Sequence, residues 1–226
     1  MFKKILLSLI FVNFAYANLI ISDIKDGFIY ASSNGINPND LKAGVLVIKN
    51  INEQEIIIAR AKLKSINNEI AKFELYVFSD LKQSALPIPR LIPEKGDKLI
   101  LNSFVNHTFL IAPSKKDYSE ITSKYNNFNF FSTDVLAAKL YEDSKLMPTR
   151  NDIRNYCKEW AIGSVMAALN DGLYLFECSS LDKIAKLDNK NYENEENINF
   201  YSNISKTLSN KTDYFSYYNK LFQEME

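Results

Sequence analysis

The sequence predicts an α+β protein, with a small N-terminal β-barrel or curled antiparallel sheet, then an α/β unit, then a C-terminal amphipathic helix. Short β-type runs separated by turn residues fill the first half of the chain. Strand and helix patterns alternate in the second half, and apolar residues recur at heptad spacing near the end. With 46% hydrophobic and 24% charged residues, the composition is that of an ordinary globular chain.

The N-terminus, residues 1–17, predicts a secretory signal peptide. Lys3 and Lys4 precede an apolar run from Ile5 to Val12, and Ala15-Tyr16-Ala17 has the small-x-small pattern of a cleavage site. The run is too short to span a bilayer as a stable helix. The alternatives are an uncleaved anchor or a buried strand. We therefore expect export to the periplasm, with outer-membrane association or surface exposure as further options.

Residues 18–106 predict a β-rich domain. About six short runs are apolar or alternate in polarity, and turn residues such as Asp26-Gly27, Asn67-Asn68 and Gly96-Asp97 separate them. So many strands in so short a segment would leave exposed edges unless the sheet closes on itself. This is why a barrel or a curled sheet is expected.

Residues 107–187 predict an α/β unit. Thr108 to Ala112 is a strand-like apolar run, and Ser114 follows as the N-cap of a first helix. Thr133 is expected to cap a second helix, and Thr149 with Asp152 forms a capping-box-like start of a third. Strands and helices in alternation are typical of α/β or α+β architecture.

The chain contains two cysteines, Cys157 and Cys178, both in its second half. In an exported protein a single even pair predicts a disulfide bond. The alternative is two buried free thiols, which behave as small hydrophobic side chains. The spacing excludes a CxxC redox pair and a CxxCH haem site.

Residues 188–226 predict a polar linker followed by a heptad-patterned helix. Apolar side chains recur at alternating steps of three and four with one polar position, Lys211. This helix either folds back on its own domain or serves as a docking or coiled-coil self-association helix. The residues predicted for the interaction helix are Tyr201, Ile204, Leu208, Phe215, Tyr218 and Phe222.

The residues contain no motif for catalysis, a cofactor or a metal ion. His107 is the single histidine, and a lone histidine beside a strand is typical of a structural residue. Lys115-Lys116 is the clearest exposed basic pair, typical of a solvated helix start. The net charge of +0 gives no indication of nucleic acid as a partner. We therefore predict a non-enzymatic protein without a cofactor that acts by binding proteins.

Short matches to a known family extend from about residue 19 to 183. They are Leu86-Pro87-Ile88-Pro89, Gly96-Asp97, Asn106, Leu110-Ile111-Ala112-Pro113 with Tyr118, Asp134-Val135-Leu136-Ala137-Ala138, Arg150 to Cys157, and Cys178-Ser179. In these residues the sequence resembles the N-terminal domain of the plasminogen-binding protein A family of bacterial cell-surface proteins. The resemblance implies a non-enzymatic envelope protein that binds host plasminogen.

No binding residue of the family can be assigned to a position of this sequence. Binding in the family is associated with a lysine-ended tail, which the kringle domains of plasminogen favour, whereas this sequence ends Gln223-Glu224-Met225-Glu226. Internal lysines such as Lys115 or Lys116 would have to serve instead.

Two functions follow as expectations. The first is a structural or accessory subunit of a periplasmic assembly, such as the flagellar motor, joined to protein partners through the C-terminal helix. The second is a surface protein that binds host plasminogen. The heptad pattern and the missing terminal lysine favour the first, and the family resemblance favours the second. No transmembrane segment is expected in the mature chain.

Overall fold

The computed structural model describes residues 18–76, 91–193, 199–204 and 213–223. The predicted signal peptide and Leu208 lie outside the described residues. A closed barrel and a second sheet account for the strands, and helices are associated with the second sheet. The predicted α+β class is therefore confirmed.

The first half forms a closed antiparallel barrel. Its strands are β1 (Asn18–Lys25), β2 (Phe28–Ser32), β3 (Val45–Ile51), β4 (Gln54–Asn67), β5 (Ile70–Tyr76) and β6 (Lys98–Ile100). They are arranged in the order β1-β2-β5-β4-β3-β6, and β6 also pairs with β1, which closes the ring. Alternate side chains point inward, so that Ile21, Ile29, Phe73 and Leu99 are fully buried.

The second half contains a mixed sheet of five strands. These are β7 (His107–Ile111), β8 (Asn129–Phe131), β9 (Ser164–Leu169), β10 (Gly172–Glu177) and β11 (Lys183–Asp188). Their order is β11-β10-β9-β7-β8, with β7 parallel to both of its neighbours and the other pairs antiparallel. All residues of β9, an apolar run that ends at Leu169, are buried.

Four helices are described: α1 (Lys115–Lys124), α2 (Thr133–Glu142), α3 (Arg150–Glu159) and α4 (Tyr214–Gln223). Ser114 caps α1, and Thr149 with Asp152 forms the expected capping box at α3. The predicted cap of α2 was wrong by one residue. Thr133 is the first helical residue, so the N-cap is Ser132, whose side chain accepts the hydrogen bond from the Asp134 amide. The hydroxyl of Thr133 donates to the carbonyl oxygen of Tyr201.

Helices cover the second sheet on both faces. The connection from β7 to β8 contains α1, and the connection from β8 back past β7 to β9 contains α2 and α3. Because these two crossovers run in opposite directions along the sheet, they place their helices on opposite faces. Accordingly, Ile121 of α1 packs in one core cluster, whereas Leu136 of α2 and Ile153 of α3 pack in another.

The segment between β6 and β7 joins the barrel to the second sheet. The backbone amides of Asn102 and Ser103 donate to the carbonyl oxygens of Ala43 and Gly44, which precede β3 of the barrel. On the other side, the hydroxyl of Ser164 in β9 donates to the carbonyl oxygen of Val105. The joint is therefore bonded to both sheets.

Replacing Gly44 with alanine should destabilise the protein more than the same change at Gly35. Both glycines have positive φ angles, +53° and +75°, so each substitution costs about 1–2 kcal/mol in backbone strain. A methyl group at Gly35 meets open space, whereas at Gly44 it overlaps the backbone of Ser103. We expect the free energy of unfolding of the Gly44→Ala variant to fall by roughly 1–3 kcal/mol more than that of Gly35→Ala. Urea denaturation of both variants measures the difference, and equal losses would contradict the close approach.

Candidate binding surfaces

The predicted interaction helix differs from the one in the structure. Tyr201 and Ile204 belong to a described segment that is not helical, and α4 begins at Tyr214. The amide of Tyr201 donates to the carbonyl oxygen of Ala112, a tertiary bond that takes the place of a helical one. The prediction of helix at Tyr201 and Ile204 was therefore wrong, because periodicity does not reveal long-range backbone bonds.

Helix α4 packs against the protein's own second sheet. Tyr218 and Phe222 are buried, and Phe215 is half-buried. The ring of Phe222 stacks on Phe176 of β10 with centroids 4.6 Å apart. The Tyr214 hydroxyl lies 3.1 Å from the carbonyl oxygen of Ile111 and 3.0 Å from that of Ala168. The apolar face of α4 thus completes the core, as in the folded-back alternative that the sequence allowed.

Two tyrosines of α4 allow a matched test of this packing. The single O–H donor of Tyr214 lies within hydrogen-bonding distance of two strand carbonyl oxygens, whereas the buried Tyr218 hydroxyl has no partner in the described part of the chain. Tyr214→Phe should cost about 1 kcal/mol, and Tyr218→Phe should be neutral or slightly stabilising, because it removes an unpaired buried hydroxyl. Thermal and urea unfolding of both variants check this. The arrangement would be contradicted if Tyr218→Phe lost as much stability as Tyr214→Phe.

The crevice at the carboxyl end of β7 is filled by the chain itself. In open α/β sheets ligands bind where successive crossovers diverge, outside the carboxyl ends of the strands. Here Tyr201 is held on both sides, by the Ala112 carbonyl oxygen at 2.8 Å and the Thr133 hydroxyl at 2.8 Å. Asn203 then donates to the carboxylate of Asp134 at the start of α2. This crevice is therefore occupied by the segment 199–204.

Cys157 and Cys178 form the disulfide predicted from the sequence. It links α3 to the residue that follows β10, and both cysteines are buried. Arg154, one turn before Cys157, donates to the carbonyl oxygen of Ser180 at 2.9 Å. The covalent bond and this hydrogen bond hold α3 against the same loop.

Removing the disulfide should lower stability by about 3 kcal/mol, because it closes a loop spanning 21 residues and restricts the unfolded chain. The double variant Cys157→Ala, Cys178→Ala, compared with the oxidised and the reduced parent in urea, measures this loss. The reduced parent lacks the disulfide but keeps both sulfur atoms, so it separates loss of the bond from the cavity that alanine leaves. If all three proteins unfolded at the same urea concentration, the bond would not contribute to stability.

A cleft of about 410 Å³ lies between the barrel and the second sheet. From the barrel side it is lined by Lys42, Arg60 and Lys62, and from the other side by Arg154 and the loop Glu177–Ser180. These residues are far apart in sequence and belong to no motif. Sequence reasoning therefore missed this cleft, and no local signal could have revealed it.

Ion pairs cross the joint at this cleft. Lys62 lies 2.5 Å from Asp182, and a guanidinium nitrogen of Arg60 lies 3.7 Å from Glu177. Burial favours the neutral acid, but hydrogen bonds from Lys62 and Ser180 outweigh it and lower the pKa of Asp182. Asp182 is therefore ionised at neutral pH and pairs with Lys62 as a full charge.

A second charged surface surrounds the start of α1. Lys190 bridges Asp117 at 3.0 Å and Glu120 at 2.8 Å, and these hydrogen bonds outweigh partial burial and raise the pKa of Lys190. Lys115 and Lys116 are exposed, and neither forms an ion pair within the described ranges. The basic pair predicted from the sequence therefore projects into solvent beside a fixed acidic cluster.

His107 lies at the start of β7 between two aromatic rings. Its ring centroid is 5.9 Å from that of Phe104 and 5.8 Å from that of Phe131. The backbone of His107 bonds to Phe104 and Gly163. In the part of the chain that the structure describes, no group of three or more His, Cys, Asp or Glu side chains could hold a metal ion.

The structure defines an α+β protein in which a closed barrel is joined to a helix-covered mixed sheet, with charged surfaces at the joint and at α1. Comparison with known families shows that the chain belongs to the family described as "Plasminogen-binding protein pgbA N-terminal", which matches residues 30–222. The resemblance carried by the short matches is thereby confirmed.

Two curated relatives come from Helicobacter pylori, and both are named plasminogen-binding protein PgbA. The protein of strain J99 is 28% identical over 200 residues, which cover 82% of this chain and 44% of the relative. The protein of strain 26695 is 26% identical over 200 residues, covering 82% and 43%. The chain thus matches less than half the length of these relatives.

No solved structure matches the chain. Within the described residues, none of the helices has the length and apolar character needed to cross a bilayer. The comparisons give no support to a role in the flagellar motor.

Proposed function

We propose that this protein is a non-enzymatic binding module of the bacterial cell envelope that binds host plasminogen. The observation that carries the proposal is the family match over residues 30–222, together with two relatives whose names state plasminogen binding. Export rests on the signal-peptide pattern of residues 1–17.

The start of α1 is the surface that we assign to plasminogen. Kringle domains favour a terminal lysine, which presents an ammonium group and a carboxylate together. Lys116 and Glu120 are one helical turn apart on α1, so they present the same two groups on one face of an internal helix. Lys115 adds a second exposed ammonium group beside them.

The helix itself gains nothing from these two lysines. Cations in the first turn oppose the positive end of the helix dipole. Ser114 and Asp117 already satisfy the helix start, since the Ser114 hydroxyl accepts from the Asp117 amide at 3.0 Å. The exposed ammonium groups are therefore available to a partner without loss of helix stability.

The assembly-subunit interpretation has lost its main support. It relied on a heptad seam offered to a partner, but Tyr218 and Phe222 are buried against the protein's own sheet. We therefore keep plasminogen binding as the proposed function.

The double variant Lys115→Ala, Lys116→Ala should bind plasminogen roughly tenfold more weakly or worse, because it removes charge-assisted contacts worth about 1.5 kcal/mol or more. Surface plasmon resonance on immobilised plasminogen measures the affinity, and a lysine analogue should release the unchanged protein.

Lys95→Ala is the matched control, since this exposed lysine lies in a turn outside the proposed surface and forms no described ion pair. Equal affinities of the double variant and the control would reject the assignment to α1. If the unchanged protein failed to bind, or if the lysine analogue failed to release it, the proposed function would be wrong.

A further inference from the structure

We propose that the cleft between the barrel and the second sheet binds a small ligand that carries oxyanion groups, either phosphate or carboxylate. The cleft volume of about 410 Å³ falls within the range typical of small-molecule sites, roughly 300–1,000 Å³. This site is separate from the plasminogen surface proposed on α1 and does not depend on it.

The charges lining the cleft favour an anion. Four cationic side chains, from Lys42, Arg60, Lys62 and Arg154, face it, against the single carboxylate of Glu177. Lys62 is neutralised by Asp182 at 2.5 Å. The remaining cations exceed the negative charge of the lining, so an anionic ligand gains electrostatic attraction there.

Glu177 offsets one of these positive charges, and its carboxylate is also held by its own loop. The Ser179 hydroxyl lies 2.9 and 2.7 Å from the two carboxylate oxygens, and the Ser180 amide donates to one of them at 2.7 Å. Arg60 approaches to 3.7 Å, which is beyond hydrogen-bonding distance. Glu177 thus organises the wall of the cleft and pairs with Arg60, while Lys42 and Arg154 form no ion pair within the described residues.

Arg154 provides the most specific indication of a ligand. One guanidinium nitrogen donates to the Ser180 carbonyl oxygen at 2.9 Å, while its Nε atom is buried without a hydrogen-bond partner in the described structure. A buried donor on a charged group is costly when it has no acceptor. A ligand oxyanion would supply that acceptor, and guanidinium groups bind carboxylate and phosphate through paired hydrogen bonds.

The wall of the cleft around Arg154 is organised before any ligand binds. Arg60 is in β4 of the barrel and Arg154 is in α3, yet both approach the loop Glu177–Ser180. The disulfide from Cys157 to Cys178 fastens that loop to α3. A ligand between Lys42 on the barrel side and Arg154 in α3 would bridge the barrel and the second sheet, and should therefore stabilise the folded protein.

The experiment measures binding to the whole exported chain by isothermal titration calorimetry and by the shift in melting temperature. Inorganic phosphate and citrate are the two probes, and sodium chloride at matched ionic strength controls for screening. We expect saturable binding of phosphate, citrate or both, with a higher melting temperature than in chloride. The probe that binds with the higher affinity shows whether the ligand class is a phosphate or a carboxylate.

Three variants locate the binding. Arg154→Gln and Lys42→Gln should each weaken binding several-fold to tenfold, whereas Lys95→Gln should leave it unchanged. Lys42 is included because its described hydrogen bond is to exposed Asn39, so its loss should not disturb folding. Circular dichroism without ligand confirms that each variant is folded.

Three outcomes would overturn the proposal. One is the absence of saturable binding to either probe, and another is equal binding by the cleft variants and Lys95→Gln. The third is saturation by an acidic peptide when neither phosphate nor citrate binds, which would assign the cleft to a protein partner.

Discussion

The second sheet must be covered on both faces, and most of the described structure beyond the barrel follows from this requirement. Strands β9 and β10 are buried along their full length, so neither face can be left to solvent. Helix α1 contributes to one face, and α2 and α3 contribute to the other. The last helix, α4, adds Tyr214, Tyr218 and Phe222 to the second of these cores. A segment that looks detachable in sequence is therefore part of the fold.

The same packing decides where a ligand or partner can bind. Residues 199–204 fill the crevice at the carboxyl end of β7, and α4 turns its aromatic face inward. Charged groups remain accessible at the start of α1 and at the joint with the barrel. The joint is held by backbone bonds from Asn102 and Ser103 and by the ion pair of Lys62 with Asp182. The cleft is a consequence of that junction.

Local chemistry allowed much of the fold to be predicted. Each of the six β-type runs became a barrel strand, and Ser114 and Thr149 cap the helices that they were expected to cap. Strand β11 (Lys183–Asp188) was not predicted, because the charged residues Lys183, Lys186 and Asp188 interrupt its apolar residues. The heptad pattern correctly marked Phe215, Tyr218 and Phe222 as one helix face, but extended the helix too far toward Tyr201.

The sequence by itself determined the α+β class, the barrel strands, two helix caps and the exposed Lys115-Lys116 pair, because neighbouring residues encode these features. From the sequence alone, the two cysteines could form a disulfide or remain free thiols. The last helix could dock to a partner or fold back on its own domain. The tertiary structure decided both questions and brought Arg60 and Arg154 to one loop. The disulfide, the position of the last helix and the approach of the two arginines all depend on contacts between residues far apart in the chain. Such contacts contribute free energy only when the two sheets and their helices pack together.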